Sequence, residues 1–187
     1  MIDPTDYESL AAALERSPNH RVLRRMVSRD QFTEPVGETK VGIILDTETT
    51  GLDPRTDQII ELAMLSFEYD TRDQVCRVIN RYQSFADPGR PIPPEITQLT
   101  GITDEMVAGQ AIDLGTVERL VEPAVIVIAH NAAFDRRFAE RLHPIFAIKG
   151  WACSLAEIPW AKAGIGSAKL DYLAMCFGMY HDGHRAI

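Results

Sequence analysis

Residues 40–51 read KVGIILDTETTG. Val41 to Leu45 is a short apolar run rich in branched side chains, the composition of a buried strand, and it stops at Asp46. Residues two apart on a strand point to the same face, so Asp46 and Glu48 set two carboxylates side by side where the apolar run ends. Like charges that close raise each other's pKa unless a positive charge sits between them. A hard divalent cation with oxygen ligands, Mg²⁺ or Mn²⁺, resolves that conflict. The plainer alternative is a pair of exposed acids at a strand end.

Working outward, Ile59 to Tyr69 and Val75 to Phe85 repeat the strand pattern. A turn at Asp53-Pro54 precedes the first, and Asp87-Pro88-Gly89 ends the second. Pro93-Pro94-Glu95 opens a helix that stops near Gly101, and short helices are expected over 104–108 and 114–121. Ala124 to Ala129 (AVIVIA) is a continuous apolar strand of the kind buried on both faces. A helix with a basic outer edge (Arg136, Arg137, Arg141) follows over 133–142. A further strand near Trp151, a helix around 154–163 and a last helix over 168–177 complete the chain. Three hairpin-linked strands followed by strand–helix alternation predict an α/β fold: a mixed sheet with helices on its faces.

Residues 1–36 differ. Thr5-x-x-Glu8 reads as a capping box ahead of Leu10, Ala11 and Leu14. Ser17-Pro18-Asn19 breaks that helix, and a second is expected over about 20–29. Arg21, Arg24, Arg25 and Arg29 share one face of it, a phosphate contact or simply a solvated surface. Glu34-Pro35-Val36-Gly37 reads as a linker. The expected organisation is an N-terminal helical extension, 1–36, ahead of one domain, 40–187.

Composition agrees with one domain and a small appendage. The chain has 187 residues, 45% apolar and 25% charged. The net charge of −8 excludes a protein that coats duplex by charge alone. It leaves open a nucleic-acid enzyme whose carboxylates gather around cations. The longest apolar run is six residues, far short of the ~20 a membrane helix needs. The first residues lack the pattern of a secretory signal. Three scattered cysteines without a CxxC argue against a disulfide framework. A cytoplasmic setting without membrane partners is expected.

Two further constellations bear chemistry. His130-Asn131-Ala132-Ala133-Phe134-Asp135 follows the buried strand and opens a helix, where such sheets place ligand sites. Asn131 suits a helix cap and Asp135 suits the positive end of the helix dipole. Phe134 and Phe138 are either core or an aromatic surface on which a base stacks. At the chain end, His181 and His184 flank Asp182-Gly183. Histidine titrates near neutrality and serves as a general base; on spacing alone both read equally as surface residues.

In this order DTETTG (46–51), HNAAFD (130–135) and HRA (184–186) resemble the three exonuclease motifs of the DnaQ-like 3′–5′ exonucleases of DEDDh type. Residues 93–106, PPEITQLTGITDEM, resemble that family's substrate-side helix and turn. The resemblance spans about 40–187 and is nearest to the proofreading subunits of bacterial replicative polymerases. It implies a ribonuclease H-like sheet, three antiparallel strands extended by two parallel ones. It implies two divalent ions, Mg²⁺ or Mn²⁺: Asp46 bridging both, Glu48 on the ion that holds the attacking water, and Asp135 supporting the second. His184 takes the water's proton. Thr49, Glu95 and Thr100 hold the terminal nucleotide, and His130, Asn131 and Phe134 line the cleft. The implied partners are a nucleic-acid 3′ end, DNA preferred, and a DNA polymerase catalytic subunit. The family's fourth carboxylate would fall at position 189, past the last residue, Ile187, so a tail beyond the given chain is expected to carry it. An RNA-directed relative and a non-catalytic binding module are the competing readings.

Overall fold

A computed structural model describes residues 6–181. In chain order the elements are α1 (Tyr7–Glu15), β1 (Arg24–Arg25), β2 (Lys40–Thr49), β3 (Ile59–Tyr69), β4 (Val75–Phe85), α2 (Pro94–Thr100), α3 (Asp104–Val107), α4 (Leu114–Val121), β5 (Ala124–Ala129), α5 (Ala132–Leu142), a 3-10 helix (Pro144–Ile148), β6 (Gly150–Cys153), a second 3-10 turn (Trp160–Ala163), α6 (Leu170–Cys176) and β7 (Met179–Tyr180). The chain divides into two compact units: one takes residues 29–158, the other 6–28 with 159–181.

The larger unit is built on a five-stranded sheet ordered β4-β3-β2-β5-β6. β2 pairs antiparallel with β3, and β3 with β4; β5 joins β2, and β6 joins β5, in parallel. This is the expected mixed sheet. The period-2 alternation of β2 sorts its residues. Ile43, Leu45, Thr47 and Thr49 are buried, whereas Ile44 is exposed and Asp46 and Glu48 are half-buried on the opposite face. The buried side joins Leu62 and Met64 of β3 to Val117 and Val121 of α4, Ala139 of α5, and Ile145 and Phe146 of the 3-10 helix in one core. A second cluster unites Ile60, Ile92, Ile102 and Val107. Gly42 is required where it stands. A Cβ there would come within 2.5 Å of Cζ of Phe67, its cross-strand partner, whose ring lies over the glycine.

Residues ahead of β2 seal the outer edge of β4. Phe32 N–H donates to Cys76 O (2.9 Å), Val78 N–H donates to Asp30 O (2.9 Å), and Gln31 bridges Arg77 antiparallel. Asp70 anchors the β3–β4 turn. Its fully buried carboxylate accepts from the N–H groups of Val36, Arg72 and Gln74 and pairs with the Arg72 guanidinium at 2.6 Å.

In the smaller unit, the Asp6 carboxylate caps α1 by accepting from Ser9 N–H; Thr5 lies outside the described residues. The helix expected over 20–29 does not form. Arg24 and Arg25 are extended and pair in parallel with β7. Branched Val22 and Val27 favour strand over helix, and Arg24 is drawn into ion pairs with Glu8 (3.2 Å) and Glu15 (2.5 Å) of α1. The helix expected around 154–163 shrinks to the 3-10 turn. Among the described residues no helix is long and apolar enough to cross a membrane.

Candidate active site

The last parallel pair between β2 and β5 is Ile44 with Ile128. Beyond it, among the described residues, β2 runs on without a strand on that side, and its N–H groups there need other acceptors. α5 supplies one. The Thr47 N–H (3.0 Å) and the Thr47 hydroxyl (2.8 Å) both donate to Oδ1 of Asp135. Asp135, Phe138 and Ala139 form the buried stripe of α5, so the spacing that packs the helix also drives Asp135 to the end of β2.

Asp135 is only 3% exposed. Burial pushes its pKa up to about 6, with the Thr47 hydrogen bonds opposing and the charge of Asp46 adding to the rise. Asp46 is raised as well, first by burial and then by the charge of Glu61, with His130 pulling the other way. His130 therefore stands within electrostatic reach of Asp46. Glu48 faces Glu61 directly across the β2–β3 ladder. Glu61 is 1% exposed, and its Oε1 accepts from Gln83 Nε2 at 2.6 Å. Carboxylates thus converge on the end of β2 from three elements in a poorly solvated place, where each added negative charge is costly. Among the described residues no three His, Cys, Asp or Glu side chains already stand close enough to hold a metal ion.

The turn after the strand is organised by a residue that sequence reasoning missed. The Asp57 carboxylate accepts from Thr50 Oγ1 (3.2 Å), Asp53 N–H (3.0 Å) and Arg90 Nη2 (2.9 Å). It fills the space beside Gly51, where a Cβ would sit 2.5 Å from its Oδ2. The glycine of the 46–51 motif is thereby explained by contact. Thr49 donates its hydroxyl to Gly51 O (2.6 Å), and Thr100 donates to Ile96 O (2.9 Å) while accepting from Ile102 N–H (3.1 Å). Both hydroxyls hold local backbone. Glu95 is exposed in the first turn of α2.

Asn131 does stand at the N-cap of α5, but in the left-handed conformation (φ 80°) and without a capping side-chain bond. Phe134 is half-buried and meets the buried Phe138 ring at 5.0 Å. His130 Nδ1 lies 2.9 Å from Ser154 Oγ. His184 and the rest of its motif lie outside the described residues; His181, in the smaller unit, pairs with Asp171 at 2.8 Å. Glu61 had a readable signal, a lone acid inside the apolar run IIELAML. Gln83 and Asp57 had none, because their partners come from other elements.

The exonuclease family model RNase_T matches residues 43–187. A Thermotoga petrophila protein named DNA polymerase III PolC-type is 33% identical over 71% of this chain and 9% of its own length. A Treponema pallidum protein named DNA polymerase III subunit epsilon is 30% identical over 75% of this chain and 67% of its own. The chain spans only 6 to 9% of the PolC-type relatives it matches. Among solved structures, a zinc-bound complex of E. coli exonuclease I with single-stranded DNA aligns over 78% of this chain and 36% of that one, with TM-score 0.61 and 16% identity, a likeness of fold.

Proposed function

The chain belongs to the exonuclease family, the DnaQ-like 3′–5′ exonucleases that its motifs resemble, and from that membership we propose that it hydrolyses the 3′-terminal phosphodiester of single-stranded or frayed DNA and releases nucleoside 5′-monophosphates. The observation that supports this most is the packing of Asp135 and Asp46 into one poorly solvated place, both with raised pKa values. Two poorly solvated acids of like charge destabilise each other, and an all-oxygen donor set suits hard divalent cations. Asp46, Glu48 and Asp135 would hold Mg²⁺ or Mn²⁺. Such ions, when bound, stabilise charge on the attacking and leaving oxygens of an in-line displacement.

The protein's own groups do the rest. Thr47 orients Asp135 through two hydrogen bonds to its Oδ1. His184 takes a proton from the attacking water. His130, Asn131 and Phe134 line the cleft; Thr49, Glu95 and Thr100 position the terminal nucleotide, the two threonines chiefly by shaping backbone. A terminal base must leave its partner to enter such a cleft, which favours single-stranded or frayed ends. The polymerase III names of the relatives support DNA over RNA, a role in proofreading or repair beside a polymerase catalytic subunit, and a cytoplasmic setting.

The deciding assay incubates 3′-labelled DNA and RNA oligonucleotides of one sequence with Mg²⁺ or Mn²⁺. Mononucleotide release from DNA, abolished by EDTA and by Asp46→Ala, is the expected result. Release surviving either treatment overturns the metal mechanism; faster release from RNA overturns the DNA preference.

A further inference from the structure

α5 lacks the cap its sequence advertises. The first N–H groups of a helix have no partner within it and need outside acceptors. Asn131 stands at the N-cap, yet its side chain accepts nothing from the helix. The acceptor comes from elsewhere: Ala132 N–H donates to Sγ of Cys153, the last residue of β6, at 3.4 Å. β6 lies beside β5 in register, with Ala129 opposite Cys153, so the two strands end level. Two more contacts bolt the same corner. Ser154 N–H donates to Ala129 O (3.1 Å), and Ser154 Oγ meets His130 Nδ1 (2.9 Å).

We propose that Cys153 is a positioning residue for the nuclease reaction: its sulfur caps α5 from the neighbouring strand and so fixes where Asp135 meets the end of β2. Asp135 lies three residues past the capped Ala132, about 4.5 Å along the axis at 1.5 Å per residue. A shift at the start of the helix therefore arrives undiminished at the carboxylate. The thiol's surroundings agree. Partial burial pushes its pKa up, but the N–H groups of Ala156, Ala132, Asn131 and Leu155 outweigh burial and hold it below the ordinary thiol value. Sulfur that accepts from several N–H groups carries partial negative charge, which suits the positive end of a helix.

This inference rests on the nuclease reading above, and its test separates the two. Cys153→Ser keeps an acceptor; Cys153→Val keeps bulk and removes it. Release of nucleotides from 3′-labelled DNA is measured for both, with kcat and KM resolved, alongside the rise in Tm that Mn²⁺ produces. Cys153→Val is expected to lose about ten- to a hundredfold in kcat at little change in KM, because small misplacements of reacting groups cost that much. It is also expected to lose much of the Mn²⁺-induced rise in Tm, while Cys153→Ser stays within a few-fold of the parent on both. Equal behaviour of the two variants, whether both intact or both impaired, overturns the proposal. A parent that releases no nucleotide refutes the nuclease reading, and the Mn²⁺ shift still judges the cap. Independently of any core variant, methyl methanethiosulfonate is applied to Cys176→Ser protein. It transfers its S-methyl group to the thiolate and releases methanesulfinate. Cys76 is buried, which leaves Cys153 as the target. Loss of rate that dithiothreitol restores supports the cap; full rate with Cys153 modified, read by mass spectrometry, overturns it.

Discussion

Replacing Asp135 with Asn should make the metal-free protein more stable while abolishing its activity. The asparagine Oδ1 still accepts from Thr47 N–H and Thr47 Oγ1, so the helix stays pinned to the strand. What disappears is a charge that burial, with Asp46, disfavours. The folded pKa of about 6 lies above the 3.8 of the free group. Folding is therefore opposed by ionisation, a cost absent in acid that grows as pH rises through about 6. One pKa unit is worth about 1.4 kcal/mol, so at pH 8 the cost reaches about 3 kcal/mol. For a chain of this size each kcal/mol moves Tm by roughly 2–4 °C, which predicts a gain of about 6–12 °C for Asp135→Asn in EDTA. The gain should fade toward pH 4, where the folded parent is already protonated. In Mn²⁺ the order reverses: the parent gains Tm and the variant does not, since only a ligand bound to the native state stabilises it. The assay is thermal unfolding by circular dichroism at pH 4, 6 and 8, with EDTA or Mn²⁺. A variant no more stable than its parent at pH 8 in EDTA, or one that still responds to Mn²⁺, refutes the reasoning.

Other perturbations test other parts. Asp70→Ala removes a buried carboxylate that accepts hydrogen bonds from Val36, Arg72 and Gln74 and should cost about 3 kcal/mol at pH 7 in urea unfolding. Asp70 has its pKa held low, first by Arg72, so its contribution is present above the ordinary carboxylate value and is lost progressively as pH falls from about 4 toward the depressed folded value; a penalty unchanged at pH 2 would contradict this. Gly51→Ala drives a Cβ into Asp57, which Thr50, Asp53 and Arg90 hold in place, and should lower stability by about 1–3 kcal/mol together with turnover; unchanged Tm would show that the turn yields. His184→Ala should reduce kcat by about 10²–10⁴ with unchanged far-ultraviolet circular dichroism, and near-normal turnover removes it from the mechanism.

The sheet was readable because its strands announce themselves by local pattern. AVIVIA forms the expected strand, though it is not buried throughout on both faces, since Val125 is exposed and Ile126 and Ile128 are half-buried; Asp46 and Glu48 share a face by the period of the strand alone. Where the reading failed, tertiary contacts overrode local rhythm. Residues 20–29 have helical spacing, yet a strand partner from residues 179–180 holds Arg24 and Arg25 extended, and Arg24 is ion-paired to α1. Asn131 had the composition of a cap and not its geometry, because a sulfur twenty-two residues away in sequence had taken the role. Asp57 and Gln83 look like ordinary polar loop and strand residues until Arg90, Gly51 and Glu61 are brought against them. Contacts between distant segments carry no periodicity, and much of this site is made of them.

The strip 29–33 that lies along β4 has a consequence for where the molecule tolerates a cut. An uncovered strand edge is a template for a stranger's backbone. Trimming up to residue 28 leaves that strip in place; trimming up to residue 36 strips the ladder bare at Cys76 and Val78. The longer deletion should therefore yield particles that grow with concentration, visible by light scattering, where the shorter does not. The short run from Arg29 to Thr33, between the expected helix and the linker, is the selvedge that keeps the fabric from unravelling into its neighbours.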